Sequence, residues 1–236
     1  MCLCSNATVP TVDVAFTRED IDDADVLIVL DVLRATSTIV SALASGYRRV
    51  LCVDSIDRAR RLARPGRTLA GEQEWVRPEG FALGNSPVDV QRPSGSELVL
   101  ATTNGSATIV RAAAHADKVL IGCLLNLDPV IEAVDPAEGV QVVCSGASLR
   151  PALEDIYVAG RIAARLGGRH TDAALVAVAV AAGDASPREV LERSAGAAAL
   201  RERGMGDDVA WCARESVVAV VPRVRGAEEH LAVVSS

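Results

Sequence analysis

Aromatic residues are scarce in this sequence. Phe, Trp and Tyr make up 3% of its 236 residues, so a core has to be assembled from Val, Leu, Ile and Ala. Lysine is almost missing: of 24 basic side chains only Lys118 is not an arginine, a bias from which no function follows. Histidine is nearly as rare. His115, His170 and His230 stand alone in polar or terminal contexts, and none is placed as a general base, which weighs against a serine hydrolase. The patterns G-x-S-x-G, G-x4-G-K-[ST] and G-x-G-x-x-G are all missing. No apolar run is long. The richest, Ala173 to Ala182, is about half of the roughly 20 residues that cross a bilayer. The opening MCLCSNATVP has no apolar signal region. The chain is therefore read as cytoplasmic, with no membrane partner. A net charge of −7 excludes general nucleic-acid binding, which needs a basic surface to displace counterions. None of the six cysteines forms a C-x2-C pair, so a zinc knuckle is not indicated. Cys2 and Cys4 are expected on a frayed terminus, and Cys52, Cys123 and Cys144 sit in apolar runs where reduced cysteine packs as a small core residue.

What is present is an ordinary globular composition, half apolar and 23% charged. Short apolar runs predict strands at 12–16, 26–32, 49–53, 97–102, 118–123, 140–145 and 216–222. Most are continuous rather than alternating, as expected of strands covered on both faces. Helical patterns lie between them at 36–46, 56–64, 106–116, 127–134 and 151–167. This alternation predicts a three-layer α/β/α fold with a mostly parallel or mixed sheet, in one domain spanning 1–236. The part from 171 to 215 is richer in helix. There Ser186, Pro187 and Glu189 form a start signal and Gly204 a stop, predicting one helix between them. VLDVLRATSTIVSAL and VLATTNGSATIVRAA echo one another, an expectation of two related halves. The longest non-periodic stretch, 71–95, is read as a functional loop.

Polar residues gather behind the strands. Asp31 ends an apolar run, and Arg34, Thr36, Ser37 and Thr38 open a helix after it. Thr102, Thr103, Asn104, Gly105 and Ser106 do the same after the run at 97–102. Asn126 follows a third run, and Gly146 and Ser148 follow a fourth. Ligands of open α/β sheets bind outside strand carboxyl ends, and helix N-termini attract anions, so these turns are candidates for one phosphate or carboxylate site. Each is equally an ordinary set of helix caps. Glu72, Glu79, Glu154, Asp155 and Asp208 stand near the same edges. Carboxylates beside phosphate-binding amides point to a hard cation, Mg2+.

Cys144 and Arg150 have the C-x5-R spacing of cysteine phosphatases. Cys52 and Arg58 have it too, in a loop whose Asp54 and Asp57 would repel phosphate. With six cysteines and so many arginines the spacing carries little weight, although Cys144 as a nucleophile stays open.

The stretches DVLRATSTIVSAL (31–43), GE (71–72), PEGFALGNSP (78–87), TTNGS (102–106), LLN (124–126), CSGASLRPALED (144–155), GMGDDVAWCA (204–213) and VVP (220–222) run in order over nearly the whole chain. Together they resemble the 2-phosphosulfolactate phosphatase family. The resemblance implies a magnesium-dependent phosphatase with a three-layer α/β fold, acting on a phosphate ester at the 2-hydroxyl of a small acid. It carries over Asp31, Arg34, Glu72, Asn85, Asn104, Asn126, Glu154, Asp155 and Asp208. Asp31, Arg34, Glu72 and Asp155 are the expected catalytic residues. Thr36, Ser37, Thr38, Asn85, Thr103, Asn104, Gly105, Ser106, Asn126 and Gly146 are expected to grip substrate. Asp31, Glu72, Glu154, Asp155 and Asp208 are expected to hold metal. Ala82 and Val158 depart from the family's usual aspartate and cysteine, and Arg150 is not a family feature, which leaves the exact substrate open. Two other readings stand beside this one: a metal-independent cysteine phosphatase, and a binding protein for small organophosphates. Asp31 is open as nucleophile or metal ligand, and a homodimer is neither required nor excluded.

Overall fold

The computed structural model describes residues 9–183 and 185–236; Cys2 and Cys4 lie outside them. Among the described residues ten strands form one sheet. In chain order they are β1 (Thr11–Ala15), β2 (Val26–Leu30), β3 (Arg49–Val53), β4 (Arg67–Gly71), β5 (Glu97–Ala101), β6 (Lys118–Gly122), β7 (Val140–Cys144), β8 (Arg169–His170), β9 (Arg223–Glu228) and β10 (Leu231–Ser235). The helices are α1 (Ala35–Ala44), α2 (Ile56–Arg61), α3 (Gly105–Ala112), α4 (Leu127–Glu132), α5 (Leu153–Ala163), α6 (Asp172–Ala181), α7 (Pro187–Glu192), α8 (Ala195–Glu202) and α9 (Gly206–Cys212). No helix among the described residues is long and apolar enough to cross a membrane.

The spatial order is β4-β5-β3-β10-β9-β6-β2-β7-β1-β8. Strands β4, β5 and β3 form one parallel block; β6, β2, β7, β1 and β8 form another. Between them lies the antiparallel hairpin β9–β10. Three antiparallel pairings separate the blocks, so the blocks run in opposite senses. Five steps lead from β5 to β2 in this order. At roughly 20–25° of twist per step the sheet curls, turning the carboxyl ends of one block toward those of the other. The curl is filled by α1 and α3, whose Ile39 and Ile109 share a core with Leu27 and Val29 of β2, Leu98 and Leu100 of β5, and Val234 of β10.

The echo between the two sequence stretches has a structural counterpart. The unit β2–α1–β3 begins in one block and ends in the other, and β5–α3–β6 makes the reverse journey. At the head of α1 the Thr36 hydroxyl accepts from the Asp31 N–H (3.0 Å) and donates to the Asp31 carbonyl (2.9 Å). At the head of α3 the Ser106 hydroxyl accepts from the Thr102 N–H (2.8 Å) and donates to the Thr102 carbonyl (3.1 Å).

Some expected elements differ. Residues 216–222 form no strand; they run beside the turn after β6, where the Ser216 and Val218 N–H groups donate to Leu124 and Leu125 carbonyls (2.9 Å each). Strands β4, β8, β9 and β10 were not expected: β8 has only two residues, and β9 is largely exposed and polar. The single helix expected from Ser186 to Gly204 is two. Ser186 caps α7 with Pro187 and a complete capping box. Ser194 then accepts from the Ala197 N–H and starts α8 afresh. Gly204 ends α8 at φ +74°.

Candidate active site

Asp31 stands directly behind β2. The first turn of α1 fixes it, for its Oδ1 accepts from the Ala35 N–H at 3.0 Å while Thr36 holds its main chain. Gly105, the first residue of α3, presses against it. A β-carbon there would lie 2.4 Å from the Asp31 Oδ2, so only glycine lets the two helix starts meet. Asp155, in the first turn of α5, bridges two strand ends: its oxygens accept from the Val32 N–H (2.9 Å) and the Gly146 N–H (3.1 Å). Gly146 follows β7 at φ +65°, and a β-carbon would lie 2.5 Å from the Arg150 carbonyl oxygen. Glu72, behind β4, accepts from the Thr103 N–H (2.7 Å), the Thr103 hydroxyl (3.1 Å) and the Trp75 N–H (2.8 Å), joining the ends of β4 and β5. Glu154 comes from α5, under Gly196 of α8, whose β-carbon would fall 2.5 Å from Glu154 Oε1.

These groups line one cavity of about 350 Å³. At its mouth are two tight turns. Gln73 and Val76 close one, with Glu74 at φ +51° and Trp75 at +71°. Ala147 and Arg150 close the other, with Ser148 at +51° and Leu149 at +60°. Left-handed backbone at non-glycine residues costs about 1–2 kcal/mol each, and such strain is concentrated at functional sites.

The lining carries Asp31, Glu72, Glu74, Glu154 and Asp155 against one cation, Arg34. Burial pushes the Asp31 carboxyl up to about 6; the Ala35 N–H opposes this, and the Glu72 and Glu154 charges add to it. Burial raises Glu154. Asp155 is held well above the carboxylate range by burial and by the charges of Asp31 and Glu154, against its two N–H donors. Arg34 is 3% exposed, with a guanidinium N–H of one terminal nitrogen on Asp208 (2.5 Å) and its Nε without a partner. The buried Asn85 Oδ1 also lacks one.

Of the residues expected from the sequence, Asp31, Arg34, Glu72, Asn85, Thr103, Asn104, Gly146, Glu154 and Asp155 meet at this cavity. The others do not line it. The Thr36 and Ser37 hydroxyls turn back to the main-chain carbonyls of Asp31 and Val32, and Thr38 is wholly buried. Gly105 supports Asp31 from beneath, and Ser106 caps Thr102. Asn126 is buried away from the cavity, where its amide accepts from the Cys123 N–H and donates to the Ile121 and Val220 carbonyls. Asp208 lies behind Arg34, its oxygens taken by Arg34 and Ser86. Among the described residues no three His, Cys, Asp or Glu side chains converge on one ligand position as they stand. Cys144 is buried in the core and does not line the cavity, and burial with the Asp155 and Glu154 charges pushes its thiol well above its ordinary value. Arg150 is exposed and Val158 is core; neither they nor Ala82 line the cavity. Sequence reasoning missed Glu74, Trp75 and the Ala195–Ala199 face of α8. The run of small residues SAGAAA was the available signal for α8, since small side chains permit close approach.

Strand ends that pool carboxylates, main-chain donors and one arginine around a small cavity define an α/β enzyme with a site for a small charged molecule. The family profile described as 2-phosphosulpholactate phosphatase matches residues 13–227. A "Probable 2-phosphosulfolactate phosphatase" of Pseudothermotoga lettingae is 36% identical over 215 residues, covering 89% of this chain and 94% of its own. The "2-phosphosulfolactate phosphatase" of Methanothermobacter thermautotrophicus is 35% identical over 199 residues, covering 84% and 86%. A Carboxydothermus hydrogenoformans protein with the "Probable" form of the name is 34% identical over 234 residues, covering 95% and 98%. The chain belongs to the 2-phosphosulfolactate phosphatase family, a family of phosphoric monoester hydrolases.

Proposed function

We propose that this chain hydrolyses the phosphate ester of 2-phosphosulfolactate, or of a closely similar 2-phosphorylated hydroxy acid, with magnesium as cofactor. The observation that carries the proposal is the charge of the cavity, five carboxylates around one guanidinium. A phosphate ester bearing further acid groups enters such a site only when protons or a cation offset the repulsion. Magnesium is commonly held by one or two carboxylates, water and the substrate's own phosphate. Asp31 and Glu154 are the best placed to hold it. Glu72 and Asp155 are occupied with main-chain donors, and Asp208 is not available. Bound magnesium would neutralise charge on the phosphoryl oxygens.

The chain's own residues account for the rest. Arg34 offers the guanidinium donors that Asp208 and Met205 leave free to an oxygen of the phosphate or the acid group. Asn85 and Asn104 add neutral polar contacts that orient the substrate without further charge. Most catalysis of phosphoryl transfer is positioning and charge stabilisation of this kind.

The test is phosphate release from a panel of 2-phosphorylated hydroxy acids, with magnesium and with EDTA. Turnover with magnesium is expected, lost with EDTA and in Asp31→Asn, and kept in Cys144→Ser. Activity that survives EDTA and disappears in Cys144→Ser would overturn the mechanism. Tight binding without phosphate release would make the chain a binding protein instead.

A further inference from the structure

Arg34 is the one cation of the cavity, and it is anchored from behind. Its terminal nitrogen donates to Asp208 Oδ2 at 2.5 Å and meets the Met205 sulfur at 3.0 Å. Asp208 is 4% exposed. Its other oxygen accepts from the Ser86 hydroxyl at 2.6 Å, and that hydroxyl in turn accepts from the Asp89 N–H at 3.2 Å. Asp208 therefore has one oxygen on the arginine and one on the serine. The chain connects three distant places here: the start of α1, the 71–95 loop and the start of α9. Asp208 does not touch the cavity, whereas Arg34 lines it.

An arginine side chain is long, and ordering it on binding a ligand costs conformational entropy. A partner that fixes the guanidinium in advance removes that cost at the moment of binding, the general benefit of preorganisation. The fixed fork then presents one edge to an anion and the other to the carboxylate. We propose that Asp208, oriented by Ser86, is a positioning residue that holds Arg34 toward the substrate, and that it is not a metal ligand. This rests on the reading of the cavity as a site for a phosphorylated anion.

A double-mutant cycle tests it, with inorganic phosphate as the probe. Its affinity is measured by calorimetry and as product inhibition, beside kcat and KM for phosphate release. In Asp208→Asn, phosphate affinity is expected to fall about 10-fold, with KM rising more than kcat falls. In an Arg34→Ala background the same change should cost less than about 2-fold, because its route of action is already gone. Ser86→Ala leaves the ion pair intact and keeps the test available if Asp208→Asn fails to fold. It should weaken phosphate binding about 2- to 5-fold, and only while Arg34 is present. Equal losses in both backgrounds would overturn the proposal, as would wild-type affinity in both Ser86→Ala and Asp208→Asn. A shifted magnesium requirement in Asp208→Asn alone would return Asp208 to the metal. If the wild-type protein neither binds phosphate nor releases it, the phosphatase reading fails, and this proposal with it.

Discussion

A carboxyl group removed from water holds its proton more tightly, and Asp31 is such a group, with a value of about 6 against an ordinary 3.8. The folded state therefore gains from the proton below about pH 4 and loses that gain as pH rises through 6. The gap is worth about 3 kcal/mol at most. Asp31→Asn carries no charge, so in EDTA it should be more stable than the wild type at pH 8, by about 1–3 kcal/mol, with the advantage gone near pH 4. Urea unfolding at both pH values checks this, and equal stability at pH 8 would refute it. Gly105→Ala should act in the opposite direction. Its β-carbon would collide with Asp31 Oδ2 and with the Ala35 side chain at 2.5 Å, at a cost of about 1–3 kcal/mol. Phosphate release should fall further than the folded fraction does, because Asp31 is displaced. Asp31 and Gly105 were both legible as residues of a polar turn, but their contact was not. The sequence could not reveal which hydroxyls face a ligand and which turn back to their own main chain: Thr36 and Ser106 read as anion binders, and both are local clamps.

Elements were legible wherever an apolar run was continuous. Strands β2, β5 and β7 are buried throughout and announce themselves. The run at 216–222 is just as apolar, yet most of it lies against the turn after β6 rather than along a strand, and it reaches β6 itself only at its end, where the Pro222 carbonyl accepts from the Ile121 N–H at 2.9 Å and Arg223 pairs with Leu120. The break between α7 and α8 was hidden because Ser194 resembles any polar residue inside a helix until its side chain is seen capping Ala197. At the amino end of β5 a charged residue sits in a strand that is otherwise apolar. Glu97 is 6% exposed, paired with Arg49 (2.5 Å), Arg67 (2.7 Å) and Arg64 (3.4 Å), and it ties β3, β4 and β5 together. Hydrogen bonds from Arg67 lead in lowering its carboxyl to about 2. Its contribution is thus complete above pH 4.5 and lost only as pH falls through 2. Glu97→Gln should cost about 2–3 kcal/mol at pH 7, discounting the exposed Arg49 and Arg64. The loss should shrink toward pH 2. A loss that is the same at pH 7 and pH 2.5 would mean that shape, not charge, matters at this position.

At the scale of the whole molecule the site depends on a sheet that returns on itself. The parallel blocks were readable as a fold class, while their opposite senses were not, because the hairpin that reverses the sheet comes from the polar β9 and from β10, whose pairing with it the sequence does not announce. Neither strand contributes a residue to the cavity, yet β10 separates β3 from β9 and so sets how far the blocks turn. Val234 of β10 is fully buried and packs with the residues of α1 and α3 that fill the curl. Val234→Asp places an unpaired carboxylate there, at a cost of more than about 4 kcal/mol, which for a chain of this size lowers Tm by about 8–16 °C. Ala227 is exposed on β9, directly across from Ala232 of β10, and Ala227→Asp should leave Tm within about 2 °C. Phosphate release should fall in Val234→Asp beyond the loss of folded protein, because the ends of β2 and β5 would no longer meet at a fixed distance. Calorimetry with activity per folded molecule separates the two effects. If Val234→Asp keeps full activity per folded molecule, the hairpin only stabilises the sheet, and the geometry of the site must come from α1 and α3 alone.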